Sequence, residues 1–127
     1  MKQTEERRDS ELFVFAKVKD LVSYILLISG KSPVKYRYSI LNPLISTCLS
    51  IIELLYEAND MEFGLDRLSL IRRAKTKLKT VDFLSSIAAN ADCFTEKQHE
   101  TILNRIGLAS KYLMGFYNHS KKALGIS

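Results

Sequence analysis

The sequence predicts an all-α fold, an antiparallel four-helix bundle, on three observations. Apolar residues recur at helical spacing through most of the chain, Gly (5) and Pro (2) are scarce, and the breaks between periodic segments are short. Strands and long loops need more punctuation than this. At 127 residues with 46% apolar content, the chain holds one core, leaves no room for a second domain and is not a disordered polymer.

Residues 1–9 are charged throughout and are expected to be disordered, ahead of a bundle over 10–121 and a tail over 122–127. Ser10 is a suitable N-cap for a first helix over 10–29, in which Val14, Val18, Leu21, Val22, Ile25 and Ile28 share one stripe. Gly30 is expected to stop it, and Ser32-Pro33 forbids continuation. A second helix is expected over 35–59, with Leu41, Leu44, Ile45, Cys48, Ile52, Leu55 and Tyr56 inward. An interior proline costs about 3 kcal/mol, so Pro43 implies either a kink or a helix that starts near Asn42. The third helix, over 66–91, turns Leu68, Ile71, Ala74, Leu78, Val81, Leu84 and Ala88 inward. After the Asp92-Cys93-Phe94 turn, Thr95-Glu96-Lys97-Gln98 has the spacing of a capping box. The fourth helix then carries Ile102, Ile106, Ala109, Leu113 and Phe116, and frays after about Lys121. Helices of similar length joined by short turns pack antiparallel, up-down-up-down.

No apolar run approaches the 18 or so residues of a membrane span, and the charged N-terminus lacks a signal peptide's apolar region. The cysteines, Cys48 on a stripe and Cys93 in a turn, suit a reducing compartment; a cytoplasmic protein with no membrane partner is expected.

The formal charge of +5 decides little by itself, but its distribution is informative. Between Arg67 and Val81 lie six cations and no anion: Arg67, Arg72, Arg73, Lys75, Lys77 and Lys79. At about 100° per residue, Arg72, Lys75 and Lys79 fall within about 60° of one another, with Arg73 and Lys77 beside them. The whole spread is expected to face away from the Ile71–Leu78 stripe. Like charges at i,i+4 repel by about 0.2–0.5 kcal/mol per pair, so a face shaped only for stability would interleave glutamates. The two readings are a phosphate-tracking surface and an ordinary solvated face. Lys35 and Arg37, with Tyr36 and Tyr38, and Lys121-Lys122 could extend such a surface; the tyrosines either stack on bases or simply pack.

Leu12-Phe13-Val14-Phe15, Tyr24 to Ile28, and Ile51-Ile52 with Leu54-Leu55-Tyr56 are apolar around more of the helix than one core uses. They mark either deeply buried helices or a homo-oligomer interface.

Catalytic and metal motifs are weak, and neither an enzyme, a cofactor nor a metal site is expected. Glu96-Lys97-Gln98-His99 has the Glu-x-x-His spacing of di-iron bundles, but it occurs once and opens a helix, where capping explains Glu96. Glu53 and Glu57 read as a solvated or interfacial pair. Gly30-Lys31-Ser32 imitates the end of a P-loop, yet no first glycine and no strand precede it. Neither His99 nor His119, although Ser120 follows the latter, lies in a sequence context that suggests a nucleophile–base pair.

Several segments resemble one family. These are Lys35-Tyr36-Arg37-Tyr38, Ile52-Glu53-Leu54-Leu55-Tyr56-Glu57-Ala58-Asn59, Arg73-Ala74-x-x-Lys77-Leu78-Lys79-x-x-Asp82-Phe83-Leu84 and Leu113-Met114-Gly115-Phe116. They are similar to the four-helix-bundle proteins related to the accessory variability determinant of diversity-generating retroelements, akin to the ribosomal-RNA intervening-sequence proteins. The resemblance covers about residues 12–118. It implies a homopentamer with a basic exterior that binds nucleic acid and the retroelement's reverse transcriptase. It also carries Arg73, Lys77 and Lys79 over as candidate contacts. Where family members often place Gly-Gly-Trp, this chain has Met114-Gly115-Phe116.

The expected function is therefore a cytoplasmic accessory protein that binds RNA or DNA and supports a reverse transcriptase. Arg72, Arg73, Lys75, Lys77, Lys79, Lys35 and Arg37 are its candidate nucleic-acid contacts. The alternative is a protein–protein adaptor with no nucleic-acid role.

Overall fold

The computed structural model describes residues 2–61 and 64–125, with side chains described from Phe13 onward. Among these residues it is all-helical, a bundle of four α-helices: α1 (Lys2–Ser29), α2 (Asn42–Asp60), α3 (Leu65–Asn90) and α4 (Glu96–Ala123). Each helix packs on the next in the chain, and α4 packs back on α1. The α1–α2 seam is the sparsest of the four.

The first helix begins well before Ser10, which lies inside it rather than at its N-cap. Its predicted stripe is buried throughout, from Val14 to Ile28. α1 ends at Ser29, but Gly30 does not use the left-handed conformation that favours glycine. The Ser32 hydroxyl instead lies 3.0 Å from the Ile28 carbonyl and 2.8 Å from that of Cys93, so it ties the end of α1 to the α3–α4 turn.

The second helix is shorter than expected because the chain resolves the Pro43 problem upstream. A 3-10 turn at Val34–Tyr36 leads into a π-helical turn at Arg37–Leu41, where the Asn42 amide reaches the Arg37 carbonyl. Pro43 then occupies the first turn of α2, where its missing N–H is not needed. The buried stripe of α2 is also rotated: Ile51, Leu54 and Ala58 join Leu44, Cys48 and Leu55, with Leu41 buried in the turn before it, while Ile45 and Ile52 are only half-buried. Tyr56, expected inward, is 58% exposed. The stretch Val34–Asp60 is also long and apolar enough to cross a membrane, which a count of uninterrupted apolar residues does not reveal. Its Leu44, Cys48, Ile51 and Leu55 pack inside the bundle.

α3 buries the expected residues except Leu84, which is half-buried, and adds Leu70. It closes with paired bonds from the Asp92 amide to Ala89 and from the Cys93 amide to Ala88. Asp92 takes the left-handed position at φ 60°. The Thr95–Gln98 capping box forms reciprocally, at 3.1 and 2.9 Å, and α4 buries its whole predicted stripe. Cys93 and Phe94 close the core at this end.

Candidate nucleic-acid interface

The cations of α3 divide three ways. Arg67 recurs with Ile71, Ala74 and Leu78 at intervals of four, seven and eleven residues, which is the core stripe, and it is 0% exposed. Its Nε donates to Ser120 Oγ at 3.2 Å, its Nη1 donates to the Met61 carbonyl at 3.0 Å, and its guanidinium lies 4.8 Å from the centre of the Phe116 ring. Arg67 therefore leaves the surface set counted from sequence. Its register was the signal that charge counting ignored.

The remaining five reach solvent, but not on a single face. Arg72, Lys75 and Lys79 form a row on the shoulder of α3 toward α4. Arg72 donates through Nε and Nη2 to the Tyr117 hydroxyl at 3.1 and 2.9 Å. Lys75 lies with it along a groove of about 200 Å³ lined also by Ile71, Leu113, Met114 and Tyr117. Arg73 and Lys77 lie roughly 100–160° further around the helix, on the opposite shoulder. The crest between the rows carries Thr76, Thr80 and Phe83, the last 66% exposed. The expected continuous face is thus two rows, because spacings of one and two residues carry the chain around a helix rather than along it. Among the described residues, none of these five bases is held by a carboxylate.

Lys35 and Arg37 are exposed but stand elsewhere. The turn they occupy is tied through Ser32 to Cys93, at the far end of α3. About 20 Å of helix separates Lys79 from that turn at 1.5 Å per residue. Lys35 Nζ sits 4.9 Å from the Tyr36 ring, Tyr36 packs against the core and Tyr38 is 78% exposed. Burial pushes the Cys93 thiol up, the Asp92 carboxylate adds to the shift, and Lys35 opposes it. At the other end, Ser120 bonds Arg67, so Lys121-Lys122 follow beyond the Arg72 end of the row, Lys121 on the side of α4 that carries Tyr117.

Two residues that sequence proximity could not pair do approach one another: Ser86 Oγ lies 3.5 Å from His99 Nε2. The same hydroxyl donates to the Asp82 carbonyl at 3.1 Å, so its hydrogen is already engaged, which is not the geometry of an activated nucleophile. Among the described residues, no three His, Cys, Asp or Glu side chains are grouped to hold a metal ion. Burial pushes the Cys48 thiol up to about 12, leaving it protonated at neutral pH.

A comparison with protein-family models gives no match, and a comparison with curated proteins gives none.

Proposed function

We propose that this protein binds RNA or DNA through α3 as a homo-oligomeric accessory factor, of the kind that the resemblance to the retroelement accessory family implies. The carrying observation is the set of five solvent-reaching bases on α3, Arg72, Arg73, Lys75, Lys77 and Lys79, with no carboxylate on any of them among the described residues. Unneutralised bases that repel one another along a helix are stabilised when phosphates replace their counterions.

The bundle is antiparallel, up-down-up-down. Asp20 meets Arg105 while Phe13 meets Tyr112, and Arg67 meets Ser120 while Ser86 meets His99. These pairs run in opposing chain order, which supports that topology. The assembly is a ring, with five subunits as the resemblance implies, joined along the sparse α1–α2 seam. Leu26, Leu49 and Tyr56 are exposed there, and Phe15 meets Tyr56 at 4.8 Å between ring centres. The partner of the complex is a reverse transcriptase in the cytoplasm. Lys35 and Arg37 belong to a separate basic patch at the opposite end of the bundle from Arg72.

Fluorescence anisotropy with labelled RNA tests this function. Binding should weaken with salt at a log–log slope of about −0.7 per neutralised phosphate on a single strand. Replacing Arg72, Arg73 and Lys75 together with Glu should abolish binding while the helical circular dichroism signal persists. Unchanged affinity in that variant sinks the assignment. Light scattering should give a mass near five chains.

The exposed apolar seam also suits a second reading, a protein–protein adaptor. Capture of a partner that survives nuclease treatment, from a protein that binds no nucleic acid, would favour it.

A further inference from the structure

The two-row arrangement has different consequences for a duplex and for a single strand. A duplex lying on α3 would meet both rows, with the crest between them facing its bases. That crest carries Thr76, Thr80 and the exposed Phe83, and a ring cannot stack on bases that are already paired. The Thr76 hydroxyl donates to the Arg72 carbonyl at 3.3 Å and the Thr80 hydroxyl to the Thr76 carbonyl at 3.2 Å, so both hydrogens are engaged inside the helix and the oxygens can only accept.

The α3–α4 groove is built differently. Ile71, Leu113 and Met114 give it an apolar lining, Tyr117 supplies an aromatic ring, and Arg72 and Lys75 supply the charge. The Tyr117 hydroxyl takes both hydrogen bonds from one edge of the Arg72 guanidinium, holding it in place. Among the described residues Nη1 has no partner, so it is available to an anion. Lys79 lies one turn beyond Lys75 on α3, and Lys121 one turn beyond Tyr117 on α4, so positive charge continues past both residues. Among the described residues, no carboxylate lines the groove. The α1–α4 groove, at about 330 Å³, makes the contrast: there Asp20 sits with Lys17 and Arg105.

We infer that the α3–α4 groove takes single-stranded nucleic acid, with a base against Tyr117 and Met114 and the flanking phosphates on Arg72, Lys75 and Lys79. This rests on the proposed nucleic-acid function and adds a strand preference to it. Bases inside a duplex are stacked on each other and cannot offer a face to a tyrosine, whereas an unpaired base can. The Arg73–Lys77 row lies on the other shoulder and contributes only long-range attraction.

The test compares one labelled 12-nucleotide RNA with the same RNA annealed to its complement, at fixed salt. The single strand should bind at least tenfold more tightly. Tyr117→Leu should weaken single-strand binding about tenfold, within the range for loss of one stacked base, and leave duplex binding unchanged. Tyr117→Phe, which keeps the ring, should stay within about threefold of wild type. Met114→Glu, a substitution at a half-buried position, provides an independent probe and should weaken the single strand selectively. Arg72→Ala with Lys75→Ala should cost more than Arg73→Ala with Lys77→Ala. Equal or tighter duplex binding, or equal losses from the two alanine pairs, overturns the groove while nucleic-acid binding stands. If neither form binds, both fall.

Discussion

Replacing Arg67 by Ala separates the cation that builds the fold from those that face solvent. Its bonds to Ser120 Oγ and the Met61 carbonyl, at 3.2 and 3.0 Å, come from a charged donor in a fully buried site. Such bonds contribute about 1.5–3 kcal/mol each. Truncation also strands the Ser120 hydroxyl in the core and opens a void beside Phe116. The expected loss is about 3–5 kcal/mol, set mainly by those two bonds with the void adding to them. At roughly 4 °C per kcal/mol for a chain of this size, the melting temperature should fall by about 12–20 °C. Arg67→Met loses the same bonds but keeps the aliphatic stem and fills most of the void, so it should lose less than Arg67→Ala, about 2–4 kcal/mol. Circular dichroism melts and urea titrations measure both, and anisotropy on Arg67→Met measures the salt slope. The slope should be unchanged, because Arg67 faces no phosphate. A melt for Arg67→Ala within about 2 °C of wild type would refute the structural role. So would a slope for Arg67→Met reduced by the 0.7 or so that one phosphate contributes.

The Ser85 hydroxyl is fully buried with no hydrogen-bond partner among the described residues, so Ser85→Ala should stabilise the protein by about 1–2 kcal/mol in urea titration. Cys48, 0% exposed, has its thiol raised by burial to about 12 from 9.0. Its neutral form is favoured in the folded state, so this contribution is fully present below pH 9. It is lost as pH rises toward 12, at up to about 1.4 kcal/mol per pH unit, because the unfolded thiol ionises first. Cys48→Ala should flatten the stability–pH curve over that window, and native Cys48 should resist alkylation at pH 8 until the protein unfolds.

Local chemistry made much of the fold legible. The stripes of α1 and α4 and the Thr95 capping box each depend on residues within a turn or two of one another, and sequence carries such relations directly. The basic character of α3 was equally plain. Three features were not decided locally. The inward face of α2 is rotated toward Ile51, Leu54 and Ala58 because its neighbours on both sides set which stripe is covered. The register of Arg67 is legible along α3, but the groups that satisfy it are not: Ser120, 53 residues away, and the Met61 carbonyl meet it inside the core. The row of Arg72, Lys75 and Lys79 becomes one wall of a groove only because α4 brings Tyr117, 45 residues from Arg72, against it. Charge and periodicity are properties of one helix and can be read from it. A groove, the partners of a buried cation and the orientation of a face belong to pairs of helices, and only packing decides them.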